Sequence, residues 1–392
     1  MRERSAAEVF VTFLKLGLTS FGGPIAHIGY FREEIVVRRR WVDDAAYTDL
    51  VALCQFLPGP ASSQVGFSLG LIRARYGGAL AAWAGFTLPS AVLMTAFAYG
   101  AGKFTGPIGL GVLHGLKLVA VAIVAQAVWG MAGTLCPDRA RASIACLAAV
   151  IILFCKSSLA QIGVISMGAI AGFWLCRASP PGTECPLGIP VSRRTGVLAL
   201  AAFLILLAVL PALGTRSQGF EPFGAFYRSG ALTFGGGHVV LPLLSNGFVT
   251  SGRVSHDAFL AGYGAAQALP GPLFAFAAYL GAVGKPAPRG IAGAALGIVG
   301  IFLPGILILL GALPFWDSLR RRAGAQAVMR GVNAAVVGLL GAALYSLLWV
   351  NSVGSAGDVA LALVGFTLLT VWRTPPLVVV ILGALGGIAL AV

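Results

Sequence analysis

Long apolar runs, separated by short polar stretches, make up most of the chain. Four of them are long enough for a helix that crosses a bilayer, which needs roughly 20 consecutive apolar residues. They lie at 78–102, 107–135, 196–214 and 289–313. Three other apolar segments are only about a dozen residues long, which is typical of re-entrant pieces. They lie at 9–20, 45–57 and 61–72. The pattern predicts an all-α polytopic membrane protein with broken or re-entrant helices.

The pattern occurs twice along the chain. LTSFGGP at 18–24 returns as LTFGGGH at 232–238, with an offset of 213 between matching residues. QFLPGP at 55–60 returns as QALPGP at 267–272, with an offset of 212. Matched residue types at a nearly fixed spacing indicate a duplicated chain.

The duplication predicts three parts of the chain. These are a first transporter repeat at 1–176, a polar linker plus connecting transmembrane helix at 177–220, and a second repeat at 221–392. Each repeat has six hydrophobic segments, so the unpaired connecting helix inverts the second repeat relative to the first. Inverted repeats around a site at the midplane are typical of secondary transporters.

The charges in the loops refine this topology. If all thirteen segments crossed with the N-terminus inside, the arginines at 32 and 38–40 would lie outside, against the positive-inside rule. If the first two segments of each repeat turn back at FGG and at PGP, more of the loop Lys and Arg lie inside. We therefore predict four re-entrant hairpins plus nine crossings, so that Arg40 and Arg75 lie on the same side.

Composition supports a membrane protein and excludes other classes. Of the 392 residues, 58% are hydrophobic and 10% are charged, against about 25% charged residues in soluble domains. The net charge of +14 comes mostly from loops beside apolar runs, so we expect no nucleic-acid partner. The start, MRERSAAEVF, is not expected to be a cleavable signal peptide. The six Cys form no CxxC pair, and we expect no metal and no cofactor.

The breaks in the apolar segments are the candidate binding site. Gly-Gly and Pro-Gly-Pro interrupt a helix, and the freed backbone groups survive in a membrane only where protein or a wet cavity surrounds them. A half-helix that begins near the midplane presents unpaired N–H groups, which suit an anion. Close helix packing is the alternative reason for such small residues. The candidate substrate-binding residues are Lys15, Ser20, Gly22, Gly23, Gln55, Pro58, Gly59, Ser62, Ser63, Arg228, Thr233, Gly235, Gly236, Gln267 and Gly271.

Charged and titratable residues within the apolar segments extend this list. Lys15 and Arg228 occupy equivalent positions before the two FGG motifs, where a basic pair facing a shared cavity would attract an anion. Snorkelling of either side chain to the interface is the alternative. Asp49, His27 and His238 are candidates for ion or proton coupling.

At these residues the chain resembles the chromate ion transporter family. The resemblance rests on FLKLGLTSFGGPIAHIGYFREEIVVRRRW at 13–41, ALCQFLPGPASSQ at 52–64, LTFGGGHVVLP at 232–242 and the second QALPGP. It implies a multi-pass protein of the bacterial inner membrane that exports chromate and gives chromate resistance, with sulfate as a structural analogue. The matching motif positions are Ser20 to Pro24, Gln55 to Pro60, Thr233 to Gly236 and Gln267 to Pro272. The second repeat has Gly237 where the first has Pro24.

Three other functions compete with chromate export. A transporter of sulfate or another divalent oxyanion would carry the same features, because these dianions share size and shape. An intramembrane enzyme would need a catalytic set such as HExxH or GxSxG, and the sequence has neither, so we expect no enzyme. A scaffold protein would have no use for paired cations beside paired breaks. The expected partners are the oxyanion and the lipid bilayer, and the sequence leaves a homo-oligomer open.

Overall fold

The chain folds into α-helices joined by short connections. The computed structural model describes residues 5–21, 23–101, 106–155, 158–176, 191–214, 220–234, 237–285, 288–316 and 322–391. These ranges contain no β-strand. Five of their helices are long and apolar enough to cross a membrane. They are Ala61–Gly100, Gly106–Leu135, Arg193–Leu213, Gly290–Phe315 and Ala323–Ser352. The prediction of an all-α multi-pass membrane protein is confirmed.

The described residues of the first repeat and the connecting helix form eight α-helices. They are α1 Ala6–Thr19, α2 Gly23–Phe31, α3 Asp44–Phe56, α4 Ala61–Ala101, α5 Gly106–Leu135, α6 Arg139–Phe154, α7 Ser158–Leu175 and α8 Arg193–Gly214. A π-helical segment, Arg32–Arg38, continues α2. Helix α1 ends at Thr19 and α3 ends at Phe56, so the chain breaks where the FGG and PGP motifs predict.

The helices of the second repeat follow the same order. They are α9 Phe220–Ala231, α10 Val240–Phe248, α11 His256–Gln267, α12 Phe276–Val283, α13 Gly290–Ala312, α14 Ala323–Ala343, α15 Ala356–Thr370 and α16 Pro376–Ala391. Short 3₁₀ turns, Gly237–Val239 and Leu273–Ala275, introduce α10 and α12. A π-helical segment, Leu344–Trp349, continues α14. Each α-helix of the first repeat therefore has a counterpart in the second, whereas the π-helical segments lie at different places.

Helix α4 consists of two helices joined at a sharp kink. Ala74 has φ −143° and Arg75 has φ +52°, and neither angle is helical. The piece before the kink, 61–73, corresponds to α12, and the piece after it, 76–101, corresponds to α13. The short segment expected at 61–72 is therefore confirmed.

Ion pairs bring the outer ends of the first two hairpins together. Glu8, in the first turn of α1, accepts from Arg73 at the end of the first piece of α4, at 3.0 Å. Arg39, which follows the segment that continues α2, approaches the same carboxylate at 3.6 Å. Arg32 donates to Asp44 at the start of α3 at 2.7 Å, and this bond lowers the pKa of the Asp44 carboxyl. Both hairpins therefore return to the side on which they begin.

The second repeat has an equivalent cluster. Glu221, in the first turn of α9, pairs with Arg253 in the connection between α10 and α11. The Lys285 N–H, just after α12, donates to the Arg253 carbonyl at 3.2 Å. Glu221 and Lys285 are the counterparts of Glu8 and Arg73. The hairpins of the second repeat thus also return to the end at which they begin, and re-entrance into a membrane and the number of full crossings stay predictions.

The last two helices of each repeat pack against a long helix of the other repeat: α6 and α7 contact α14, and α15 and α16 contact α5. On α5, Gly111 and Gly115 lie against the backbone of α16, where an added Cβ at Gly115 would overlap the Gly383 carbonyl oxygen. On α14, Gly331 lies against Gly168 and Gly172 of α7 in the same way. Small residues at such crossings let two backbones approach closely, which drives helix association in membranes. The two repeats are therefore interlocked.

A bulky residue at the crossing of α14 and α7 is expected to destabilise the fold. Gly331→Leu places a side chain where the Gly168 carbonyl already lies. Overpacking of this kind costs about 1–3 kcal/mol, so the unfolding midpoint in detergent should fall measurably. Gly341→Leu on the same helix is the matched control, because an added Cβ there meets no atom within 4 Å. Equal midpoints for the two variants would contradict the proposed crossing.

Candidate oxyanion site

The four breaks meet at the centre of the protein in two reciprocal hydrogen bonds. The Gly271 N–H donates to the Ser20 carbonyl at 2.9 Å, and the Gly59 N–H donates to the Thr233 carbonyl at 2.7 Å. Ser20 and Thr233 are counterparts in the two repeats, as are Gly59 and Gly271. Each bond therefore joins the FGG break of one repeat to the PGP break of the other, an exchange that a pseudo-twofold axis produces.

The central glycines of the PGP motifs have no room for a side chain. Gly59 has φ +116° and Gly271 has φ +92°, and both angles favour glycine. An added Cβ at Gly59 would lie 3.0 Å from Gly305 Cα, and one at Gly271 would lie 3.0 Å from Ser90 Oγ. Gly305 and Ser90 each follow the proline inside α13 and α4, so each PGP break rests on the proline helix of the opposite repeat.

The Gln64 side chain fixes the first PGP break. Its Nε2 atom donates to the Pro58 carbonyl and to the Gly305 carbonyl, both at 2.9 Å. Pro58 and Gly59 are buried. These two bonds connect the break to α13 and hold the start of α4 in place. The first-turn N–H groups at 61–63 have no partner within the helix, as at any helix start.

Buried polar atoms without partners surround this helix start. Ser20 Oγ, His27 Nε2 and Ser63 Oγ accept or donate no hydrogen bond within the described part of the chain. All three residues are at most 4% exposed. The His27 ring lies beside the Ser20 backbone, and its Nδ1 atom is 3.4 Å from Ser62 Oγ. An unsatisfied buried polar group costs about 1–3 kcal/mol, so this cluster is suited to a polar ligand.

The second repeat is apolar at the equivalent place. Leu273, Phe274 and Ala275 are buried where the first repeat has Ala61, Ser62 and Ser63. The Phe274 ring packs against Phe302, with 5.8 Å between ring centroids. The polar lining is therefore asymmetric, with its hydrogen-bond donors on the side of the first repeat.

The remaining polar candidates take no part in the two reciprocal hydrogen bonds. His238 Nδ1 is 2.7 Å from the Tyr263 hydroxyl, in the half of the second repeat. Gln267 ends α11 and is half-buried, whereas Gln55 is exposed. Asp49 is buried on α3 and accepts from the Trp316 indole N–H at 3.3 Å. Their roles in binding or coupling stay predictions.

The glycines of the FGG motifs are only partly described. Gly23 begins α2 with φ +79°, and an added Cβ there meets no atom within 4 Å. Gly22, Gly235 and Gly236 lie outside the described residues.

The structure places the two predicted cations on exposed helix faces. Lys15 is exposed on α1 and Arg228 is exposed on α9. No hydrogen bond or ion pair of the described residues joins either of them to the reciprocal bonds. Arg228 lines a pocket of about 60 Å³ together with Ser229 and Asn246. Lys117 is paired with Asp257, so its charge is neutralised at the start of α11.

Two clefts flank the breaks at equivalent places in the two repeats. The larger, about 580 Å³, is formed by the first hairpin, the end of α5 and the connection between α15 and α16. It reaches Phe21 at the FGG break and is lined by Arg373. The smaller, about 320 Å³, is formed by α10, the end of α14 and the connection between α6 and α7. It adjoins the Arg228 pocket, with which it shares Gln161 and Asn246.

Comparison with known proteins identifies the family. The sequence profile of the family described as "Chromate transporter" matches the chain twice, at residues 7–173 and 220–388. This chain belongs to the chromate transporter family. No solved structure matches this family member significantly.

Curated relatives of this family member cover most of its length. A chromate transport protein of Pseudomonas aeruginosa is 30% identical to it over 97% of this chain and 91% of the relative. A chromate transport protein of Cupriavidus metallidurans is 26% identical over 87% of this chain and 82% of the relative. An uncharacterized transporter of Methanocaldococcus jannaschii is 27% identical over 86% of this chain and 83% of the relative.

Some residues of the site in this family member escaped sequence reasoning. Ser90 and Gly305 follow prolines inside long helices, and nothing local shows that they support a break in the other repeat. The repeated Leu-Pro pair at 88–89 and 303–304 is the available signal. Arg373 stood among the loop cations, which indicated topology and not the lining of a cleft.

A side chain at the central glycine of the second PGP break is expected to impair anion transport by this family member. Gly271→Ala adds both backbone strain, of about 1–3 kcal/mol, and a contact with Ser90 Oγ and the Phe86 carbonyl. Gly252→Ala is the matched control, since Gly252 also has positive φ, +72°, but no atom within 4 Å of an added Cβ. Anion flux in vesicles should fall strongly in Gly271→Ala and persist in Gly252→Ala. Equal flux in the two variants would contradict the proposed effect of the contact with Ser90 Oγ and the Phe86 carbonyl.

Proposed function

We propose that this protein exports chromate from the bacterial cytoplasm across the inner membrane, as a secondary transporter that gives chromate resistance. Membership of the chromate transporter family and its relatives, two of which are chromate transport proteins, support the substrate. The observation that carries the mechanism is the cluster of buried, unpartnered donors at the start of α4, beside the two reciprocal hydrogen bonds.

The proposed domain organisation is two inverted repeats, 1–176 and 221–392, with the connecting part between them. Both hairpins of the first repeat end at the Glu8 cluster, from which the second piece of α4 leaves. Five single crossings, by that piece and by α5 to α8, then bring the chain to the Glu221 cluster on the opposite side. The excess of loop Lys and Arg on the side of the first cluster favours a cytoplasmic position for it.

The proposed binding site lies on the side of the first repeat. The N–H groups at 61–63 and the side chains of Ser20, His27 and Ser63 offer donors to the oxygens of a tetrahedral dianion. The N–H groups of Gly59 and Gly271 already donate to carbonyls across the two repeats, so in this form they hold the repeats together. Lys15 and Arg228 contribute positive potential from the exposed faces of α1 and α9, and Asp49, His27 and His238 remain the coupling candidates.

The membrane potential supplies the driving force in this proposal. An inside-negative potential of 100 mV favours expulsion of a dianion by about 4.6 kcal/mol, at about 2.3 kcal/mol per charge. Export therefore proceeds without ATP and without covalent chemistry. Concentrative uptake would instead require cotransported cations.

A flux assay with imposed potential tests the proposed function. Inverted membrane vesicles containing the protein should take up labelled chromate, faster when the potential is positive inside the vesicle. Sulfate should compete, and vesicles with Gly271→Ala should show little uptake. Sulfate uptake without chromate uptake would instead support the alternative function, transport of sulfate or another divalent oxyanion. Absence of both fluxes in folded protein would reject oxyanion transport.

The serine hydroxyl in the proposed site is expected to bind substrate. Ser63→Ala removes a buried hydroxyl that has no protein partner, so a lost hydrogen bond to a charged ligand should raise the KM for chromate roughly tenfold. Thr95→Val is the matched control, because the Thr95 hydroxyl donates to the Ala91 carbonyl of its own helix. An unchanged KM in Ser63→Ala would place the anion elsewhere.

A further inference from the structure

The larger cleft has one cationic side chain among its described lining residues. That residue is Arg373, and polar groups from three other positions accompany it in the same cleft: Gln126, Thr370 and Thr374. The cleft ends at Phe21, the residue that follows Ser20 in the first break. Arg373 and the residue next to Ser20 therefore line the same cleft.

The backbone fixes Arg373 in an unusual conformation. Arg373 has φ +52°, in the left-handed region that glycine usually occupies at the end of a helix. The Thr374 N–H donates to the Leu368 carbonyl at 2.9 Å and closes this turn. Strained conformations in non-glycine residues cost about 1–3 kcal/mol and cluster at functional sites.

Arg373 has no ion-pair partner among the described residues. The pairs found there involve other cations, such as Arg32 with Asp44 and Lys117 with Asp257. Arg373 is exposed in the cleft, so its guanidinium retains its full charge and its donors. A planar guanidinium can bind two oxygens of an oxyanion at once.

The described lining of the equivalent cleft contains no such cation. Its described lining contains polar and titratable side chains, among them Gln161, Ser245, His256 and Asn351, but no Lys or Arg. Arg228 lines the adjoining pocket. With the proposed topology, the larger cleft opens to the cytoplasm, because α5 and α15 end there and α16 begins there. The described cation of the larger cleft therefore lies at the cytoplasmic end in the proposed topology.

We propose that Arg373 captures the divalent oxyanion in the cytoplasmic cleft and passes it to the site at the first break. The inference rests on the proposed function and adds a second, outer binding position to it. The exposed guanidinium in the larger cleft favours capture of the anion from the cytoplasm. Arg373 thus determines affinity and entry, whereas the buried donors at the start of α4 hold the anion during transport.

Three variants of Arg373 and one control test the proposal in inverted vesicles. Arg373→Gly removes the side chain and also suits the left-handed backbone, so it should fold at least as well as wild type. Arg373→Ala removes the same charge, and Arg373→Lys keeps the charge without the bidentate geometry. The matched control is Arg139→Ala, since Arg139 is exposed at the start of α6 on the same proposed side.

The expected result is a change in KM that depends on salt. At low ionic strength, Arg373→Gly and Arg373→Ala should raise the KM for chromate about tenfold and leave the maximal rate unchanged. The KM of Arg373→Lys should lie between the wild-type KM and the KM of these two variants. The difference in KM between each variant and wild type should decrease as the salt concentration rises to about 1 M, where the Debye length is about 3 Å. Arg139→Ala should behave as wild type.

Two outcomes would overturn the role of Arg373. One is an unchanged KM in Arg373→Gly, and the other is a lower maximal rate with unchanged KM, which would indicate a structural role in the turn. The proposed function is tested separately by wild-type flux. If wild type carries sulfate and not chromate, the same comparison with labelled sulfate decides the role of Arg373.

Discussion

A helix that breaks inside a membrane frees backbone groups for which hydrocarbon offers no partner. In this protein the carbonyls freed at Ser20 and Thr233 each accept from a glycine N–H of the opposite repeat. Neither repeat can satisfy its own breaks in this way, so the centre requires both halves. The positive φ of Gly59 and Gly271 and the support from the proline helices follow from this requirement.

The sequence was most informative about elements that are coded locally. Gly-Gly and Pro-Gly-Pro mark helix breaks whatever surrounds them, and the repeat makes each mark visible twice. The return of each hairpin to the end at which it begins was predictable because Lys and Arg report on which side a loop lies. The equivalent clusters at Glu8 and Glu221 now show why the hairpins return, since each carboxylate joins segments far apart in the chain.

Long-range pairing was not predictable from one sequence. Nothing near Ser20 shows that its carbonyl meets Gly271, and nothing near Gly383 shows that it packs on Gly115. The direction of a side chain around its helix was also hidden. Lys15 and Arg228 have equivalent positions in apolar segments, but both lie on exposed faces, because Thr12, Phe13 and Leu16 occupy the packed face of α1.

The last helices of each repeat pack against the other repeat, and this packing determines the order in which the helices can assemble during synthesis. Helix α5 leaves the ribosome early, whereas α16, which covers its glycine face, is the last helix described in the chain. At about 5–20 residues per second, α5 waits on the order of ten seconds or more for its partner. Throughout that interval the inserted first repeat presents a bare glycine stripe to lipid and to other chains. The packing of α5 in a nascent chain is therefore complete only after α16 has been synthesised.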